Sequence, residues 1–516
     1  MRAKYLMLSV FVAGLTSLGA EMAASRLLGN VYGTSNIVWA NIIGLILVYL
    51  SAGYFIGGRW ADRSPHRVTF YRLMAWAAFT IGLVPMVSRP VLRQAVAAVE
   101  QLDAAVMLGS FLSVLVLFIV PITLLGCVSP FAIRLAISDT REAGRTSGRI
   151  YAVSTLGSIV GTFIPILWLI PAIGTARTFL ALAYLLLFTA LAGLGLADWR
   201  AMLRLLWMPL ALAGLAWWAL TGPIKESGGQ VFETESSYNY IQVVERGGTR
   251  YLLLNEGQGI HSVYNPEDGA TYGTWDCFLA APFLNPPPVA LSSVERLGIV
   301  GLAGGTIAKQ YTQVFGPIPI DGWEIDPEIV EVGRRYFDMN EPNLNVVVAD
   351  GRWGLAHSPR RYSVIAVDAY RLPYIPWQLT TREFFEEVRK HLLPDGVLVI
   401  NVGRTPQDRQ LVEAMVGTLR AVFPSVHVVD VPNTFNTIVF GTVQETTAAN
   451  LEGNYRYLLA AGAPSLLLDV LARAQANLQP TPESSIVFTD DWAPIEQLTN
   501  AMAIRFILHG DVSLLR

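Results

Sequence analysis

The hydrophobic pattern of this 516-residue chain changes character once. Up to about residue 222 the apolar residues come in long runs without alternation. A helix needs about 20 mostly apolar residues to cross a bilayer. Runs of that kind fall at 5–25, 36–58, 70–88, 106–128, 150–172, 176–197 and 205–221, the last being the shortest. They predict a multi-pass α-helical membrane domain of about seven helices over residues 1–222. Arg2 and Lys4 precede the first run as in a signal peptide, but more spans follow, so the first is read as a retained helix.

Beyond that point the pattern shortens and alternates. Thr221-Gly222-Pro223 and Ser227-Gly228-Gly229 read as a linker. Tyr240–Val244 and Tyr251–Leu254 flank Gly247-Gly248, which predicts a β-hairpin. Residues 223–290 are therefore a linker and a small antiparallel β subdomain, ending near Asn285-Pro286-Pro287-Pro288. Over 291–516 strands expected at 297–302, 318–325, 344–349, 362–368, 396–402, 425–430 and 435–442 alternate with helices at 305–315, 327–338, 381–392 and 407–422. That order predicts an α/β domain with a doubly wound, Rossmann-like sheet of methyltransferase type.

Composition sharpens the division. Charged residues make up 15% of the chain and hydrophobic residues 53%, which excludes a purely soluble, a disordered or a fibrous protein. Residues 1–222 hold 16 Lys/Arg against 7 Asp/Glu, a net of +9, and the remainder carries −12. The acidic second part argues against nucleic acid as a partner. Twelve loop Lys/Arg fall on the N-terminal side of the spans and four on the other, so the N-terminus is expected in the cytoplasm of a multi-pass cell-membrane protein. Six, seven or eight spans leave the side of the C-terminal domain open. Cys127 and Cys277 lie too far apart in character to pair, and no metal-ligand spacing is present.

Two features of the membrane part carry chemistry. Glu21 lies in an apolar run, followed by Arg26. It is either a helix-packing ion pair or a site for a cationic amine. The loop from Gly57 through Asp62-Arg63 to Arg67 is similar to the cytoplasmic loop of the major facilitator superfamily. It is equally a charged turn tying two helices. Gly157 and Gly161 are spaced for close helix packing.

In doubly wound sheets ligands bind beyond the carboxyl ends of the strands. Four features fall there: Gly301-Leu302-Ala303-Gly304-Gly305, Glu324-Ile325-Asp326, Asp350-Gly351 and Asp368. Small residues let the backbone approach a ligand and open a helix N-terminus. A carboxylate after the second strand can take both hydroxyls of a ribose, and Asp350 can accept from an adenine amine. Each acid alone is also a plausible helix cap. Together, in register along consecutive strands, they point to an adenosine-type ligand, and their spacing suits S-adenosylmethionine or a relative better than a dinucleotide.

Residues 235–402 resemble spermidine synthase, a polyamine aminopropyltransferase. Glu235-Ser236-Ser237-Tyr238-Asn239-Tyr240-Ile241 is similar to the family's opening motif, and Leu254-Asn255-Glu256-Gly257 through His261-Ser262 to its next. Trp323-Glu324-Ile325-Asp326, Asp350-Gly351 and Val367-Asp368-Ala369-Tyr370 stand where the family holds ribose, adenine and the attacking amine. Thr489–Glu496 and the Glu21…Arg26 pattern resemble the membrane-fused branch of that family. The resemblance implies decarboxylated S-adenosylmethionine or S-adenosylmethionine as donor, no metal, and a small-molecule amine as acceptor. It implies Asp368 and Tyr370 as catalytic residues, and Asn239, His261, Gly301, Gly304, Gly305, Glu324, Asp350 and Gly351 as donor-binding residues. Tyr238, Tyr272, Asp490, Asp491 and Glu496 are the implied acceptor-binding residues, and a homodimer is an open assembly. The sequence departs from the family in the acceptor half. The glycine loop is one residue shorter and lacks its Asp. Tyr272-Gly273-Thr274 replaces Tyr-His-Glu, His261 replaces a Gln, and Arg371 replaces the second Asp of Asp-Ser-Ser-Asp. Arg371 is expected to lower the pKa of Asp368 and weaken it as a base. An enzyme is expected, and three readings stay open. They are aminopropyl transfer to a diamine such as putrescine, methyl transfer, and a non-catalytic amine-binding or transport protein.

Overall fold

The computed structural model describes residues 2–32, 36–99, 105–137, 140–220, 227–255, 259–370 and 374–509. Thr221-Gly222-Pro223, Glu256-Gly257 and Arg371 lie outside them. The chain separates into two compact units, Met1–Glu226 with Glu233–Tyr240, and Ser227–Phe232 with Ile241–Arg516.

Among the described residues the first unit contains seven helices long and apolar enough to cross a membrane, from Lys4–Gly29 through Trp199–Leu220. They outrun the apolar stretches read from sequence. The helix Asn36–Arg63 carries its charged end as about one and a half further turns, because the backbone ladder continues where hydropathy stops. The fifth span is an α-helix over Ala143–Ile164, a π-helical turn over Pro165–Leu169 and a last α-turn over Ile170–Ile173. Pro165, which has no N–H to give the ladder, marks the change. Gly157 and Gly161 lie against the carbonyls of Phe11 and Leu15 in the helix Arg2–Tyr32, where any Cβ would collide with backbone. Small residues are what permit this approach. Asp62 accepts from Arg134 Nε at 3.2 Å, so the acid of the charged turn ties two helices. Arg26 donates to the backbone carbonyls of Ser236 and, at 3.0 Å, Tyr238.

Two sheets follow the helical segment, the smaller one drawing part of its first strand from Glu233–Glu235. Strands β1 (Gln230–Glu235), β2 (Tyr240–Arg246), β3 (Thr249–Leu254) and β4 (Ile260–Tyr264) lie in that order. β2 and β3 are antiparallel and meet at Gly247 and Gly248, whose φ values of 58° and 80° suit a tight hairpin turn. The larger sheet contains β5 (Leu297–Val300), β6 (Ile320–Glu324), β7 (Leu344–Val348), β8 (Tyr362–Val367), β9 (Leu392–Gly403), β10 (Ser425–Asp430), β11 (Asn436–Thr442) and β12 (Leu478–Gln479). Its spatial order is β12-β10-β11-β9-β8-β5-β6-β7. β5 to β9 are mutually parallel, and β11 runs antiparallel to β9. Helices Thr306–Phe315, Pro327–Tyr336, Arg382–His391 and Gln410–Arg420 fall within a few residues of expectation. Gly351–Ala356, Ala449–Ala460, Ser465–Ala476, Ile495–His509 and a buried 3-10 segment, Trp275–Leu284, add to the sequence reading. Strand order reverses at β5, whose neighbours β6 and β8 are reached by crossovers in opposite directions. A ligand crevice is expected at the carboxyl ends beside such a reversal.

Candidate functional site

The turn after β5 is held on both sides. Gly301 and Leu302 donate backbone N–H groups to Trp323 O at 3.0 and 3.1 Å. Gly301, Ala303 and Gly305 have φ of 87°, 48° and 85°. At Gly301 a Cβ would lie 2.7 Å from the backbone of Ala369, so only glycine lets the turn pass β8's end. Gly304 N donates to Ser262 Oγ at 2.8 Å, and Thr306 Oγ1 exchanges hydrogen bonds with the backbone of Val263. The small sheet is thus clipped to the glycine turn through β4. His261, next to Ser262, has its Nε2 buried without a hydrogen-bond partner, and burial lowers its pKa to about 4. It is neutral at physiological pH.

Glu324 ends β6 in the interior. Its Oε2 accepts from Ala303 N at 2.9 Å and its Oε1 from Asp326 N at 3.1 Å. Burial pushes its pKa up to about 7, against the pull of those N–H groups. A carboxylate offers about four lone-pair sites, more than these backbone N–H groups fill, which leaves room for a hydroxyl donor. Asp326 caps the helix Pro327–Tyr336, accepting from Glu328 N at 3.1 Å. Asp350 caps Gly351–Ala356, accepting from Trp353 N at 3.0 Å through Oδ1. Capping and ligand contact, alternatives in the sequence, are compatible here because the cap uses one oxygen.

Asp368 follows β8. Trp275 Nε1 donates to its Oδ2 at 2.9 Å and Asn401 Nδ2 to its Oδ1 at 3.0 Å. Burial pushes the carboxyl up to about 6, opposed by the Asn401 and Trp275 hydrogen bonds. The lowering expected from Arg371 is therefore not the direction set by the described surroundings, where desolvation outweighs both donors. Tyr370 donates to Asn401 O at 3.0 Å, and burial followed by the Asp368 charge raises its pKa far above the usual range. It is a neutral donor.

The residues expected to hold an acceptor lie on separate segments of the chain. Tyr272 is 70% exposed, and its hydroxyl donates to Asp268 at 3.0 Å. Trp275, three residues on, is the aromatic partner of Asp368, a residue the sequence reading passed over. Asp490 accepts from both Nη atoms of Arg352 at 2.8 Å and from Thr381 Oγ1 at 2.7 Å, which hold its carboxyl below its usual range. Its charge is spent on an anchor. Asp491 is exposed in the turn from Thr489 to Trp492, and Glu496 lies in the first turn of Ile495–His509. Tyr238 and Asn239 belong to the segment grouped with the first unit, where both backbone N–H groups donate to Ser236 Oγ. Asp276 was also missed. It is fully buried and accepts from Thr271, Tyr272, Gln310 and Arg473. An acid heading the otherwise apolar run from Trp275 to Leu284 was its signal. Among the described residues no cluster of His, Cys, Asp or Glu could hold a metal ion.

Comparison with known proteins gives this geometry its context. Residues 304–452 match the spermine/spermidine synthase domain. A probable polyamine aminopropyl transferase of Bifidobacterium longum is 34% identical over 303 residues, 56% of this chain and 64% of that protein. A polyamine aminopropyltransferase of Vibrio vulnificus is 31% identical over 205 residues, 37% of this chain and 64% of that one. The chain thus spans just under two thirds of the length of both relatives. A mouse eEF1A lysine and N-terminal methyltransferase is 29% identical over 168 residues, 30% of this chain and 24% of that protein. Within its C-terminal half the chain is thus similar to the spermine/spermidine synthase domain, and polyamine aminopropyltransferases are among the relatives it resembles.

Proposed function

We propose that this protein is a membrane-bound aminopropyltransferase, which moves the aminopropyl group of decarboxylated S-adenosylmethionine to an amine. The observation that carries the reading is Asp368, a desolvated carboxyl with a pKa of about 6, fixed by two neutral donors at the strand reversal. Glu324 and the turn Gly301–Gly305 would hold the ribose and approach the rest of the nucleoside, with Asp350 at the adenine and His261 lining the turn. An alkylammonium has a pKa near 10, so the acceptor arrives protonated. Asp368 binds it and takes one proton. The freed nitrogen pair forms a bond to the methylene carbon beside the sulfonium, and the carbon–sulfur pair leaves on sulfur as methylthioadenosine. The secondary ammonium product keeps the remaining charge. A carboxyl raised to about 6 is a stronger base than an ordinary one and is still ionised at pH 7.

The membrane reading rests on the seven apolar helices and the basic N-terminal-side loops. Cysteines at Arg63 and Arg145 should stay unlabelled from outside intact cells, and one at Gly228 fixes the side of the second unit. The test of function is mass spectrometry with purified full-length chain, decarboxylated S-adenosylmethionine and a panel of amines. Methylthioadenosine and an aminopropylated amine should form in equal amounts. The methyltransferase similarity supports one second reading, methyl transfer from S-adenosylmethionine, and a methylated product with S-adenosylhomocysteine would replace the first by the second.

A further inference from the structure

Where β10 begins, the large sheet borders a cavity of about 360 Å³. β10 is antiparallel to β11, which is antiparallel to β9, so β10 runs in the direction of the parallel strands. Ser425 and His427, which line the cavity, therefore lie at the amino ends of the strands. Glu324 and Asp368 lie at the carboxyl ends. The cavity is separate from the crevice, and its volume is within the range of small-molecule sites.

Its lining favours an anion. Arg420, the last residue of the helix Gln410–Arg420, lines it and forms no ion pair among the described residues. Thr447 and Ala448 line it too and lead into the helix Ala449–Ala460, whose N-terminal end carries partial positive charge. Among the described residues the N–H groups of Ala448 and Ala449 have no acceptor. No Asp or Glu is found among the described residues of the lining, and Glu445, close in sequence, lies outside it.

His427 narrows the choice of anion. It is 7% exposed, and burial lowers its pKa, which keeps the ring neutral. The neighbouring hydroxyls fix which nitrogen holds the proton. Thr442 Oγ1 donates to Gln444 O at 2.8 Å, and a carbonyl can only accept. Thr446 Oγ1 therefore donates to Thr442 Oγ1 at 2.9 Å, and His427 Nε2 donates to Thr446 Oγ1 at 2.7 Å. Nδ1 keeps its lone pair and has no partner among the described residues. A largely buried acceptor beside a cavity calls for a donor. An anion accompanied by an O–H satisfies both the cationic lining and this lone pair. Inorganic phosphate keeps a proton at neutral pH, and a phosphate ester can bring a hydroxyl on its organic part. Sulfate has neither.

We propose that this cavity binds a phosphate group, free or as the end of a small hydroxylated phosphate ester. Arg420 and the N-terminus of Ala449–Ala460 take its charge, and His427 Nδ1 accepts from its O–H.

The experiment is calorimetry on the purified full-length chain at pH 7, titrated with inorganic phosphate, glycerol 3-phosphate or sulfate. The expected result is saturable binding of at least one of the two phosphates, about tenfold tighter than sulfate, the worth of one hydrogen bond left unmade. Tighter binding of inorganic phosphate supports a site for the free ion, and tighter binding of glycerol 3-phosphate supports a site for an ester. No saturable binding of either phosphate, or sulfate binding as tightly, overturns the proposal. Arg420→Gln, at an exposed position, should weaken phosphate binding about tenfold through loss of a charge-assisted contact, with thermal stability unchanged. Unchanged affinity in that variant also overturns the proposal, because binding would then lie elsewhere. His427→Phe should bring phosphate and sulfate within about twofold of each other, since the O–H acceptor is gone. A preserved preference for phosphate in that variant overturns the role given to His427. The wild-type and Arg420→Gln titrations decide the site even if His427→Phe fails to fold.

Discussion

The two flanks of β5 build their acids in different ways. On the β6–β7 side, Glu324, Asp326 and Asp350 are fixed by backbone N–H groups within their own turns or the adjacent glycine turn. On the β8–β9 side, Asp368 is fixed by side chains 93 and 33 residues away. The first arrangement is a property of the local fold, and any sequence that makes the strand–turn–helix unit reproduces it. The second depends on the identity of two distant residues and can be retuned by changing either. On the proposed reading, donor recognition would be the conservative half of the crevice and acceptor chemistry the adjustable half.

The comparison breaks most sharply at Asp368. Asp368→Asn keeps the shape but cannot accept the proton, so turnover should fall by about 10²–10⁴, with methylthioadenosine affinity nearly unchanged by calorimetry. Full turnover in that variant would end the catalytic assignment. The mirror test is Glu324→Ala, which removes the carboxylate proposed to hold the ribose. Donor affinity should weaken by about 10–100-fold, the worth of one to two charged hydrogen bonds, while the rate at saturating donor moves less. Equal binding by mutant and wild type would place Glu324 outside the site.

A subtler test is the pH profile. Asp368 must be ionised to act, so activity falls as pH drops through its pKa of about 6. Trp275→Phe removes a donor that favours the ionised form, so the carboxyl should rise further, by about one unit. The acid limb of kcat/KM against pH then moves upward. The loss is about fivefold near pH 6, approaches about tenfold below pH 5 and is small above pH 8. An acid limb that does not move would mean that another group sets it. The smallest effect is expected for Asp350→Asn. Asparagine caps helices as well as aspartate and keeps one acceptor, so donor affinity should change by less than about threefold.

The same contrast explains what the sequence revealed. The places of the glycine turn and of Glu324, Asp350 and Asp368 at strand ends were legible because strand ends follow from alternation. Extending that rule one strand further, to the end of β9, would have picked out Asn401. Trp275 was not legible: it sits in a 3-10 segment whose apolar run has no period, and only the tertiary fold brings it to Asp368. Tyr272 was preferred because it matched a motif by residue type, yet its positive φ of 54° turns it toward Asp268. Asp490 was read as spare charge because its partner, Arg352, is 138 residues away. The helices Ala449–Ala460 and Ser465–Ala476 escaped because they follow the last strand of the alternating pattern. Their buried leucines nevertheless recur at helical spacing.

The outermost strand of the large sheet, β12, pairs two residues, Leu478 and Gln479, with Val429 and Val428 of β10, and Pro480 follows at once. A valine-rich strand left open at a sheet edge is a template for pairing with another chain. Here the exposed rim is too short to recruit a partner strand, and a proline with no N–H to offer stops it from growing. This edge of the sheet is thus protected against edge-to-edge aggregation by a segment that takes no part in the crevice. A substitution such as Pro480→Val would endanger the protein's solubility long before it disturbed its chemistry.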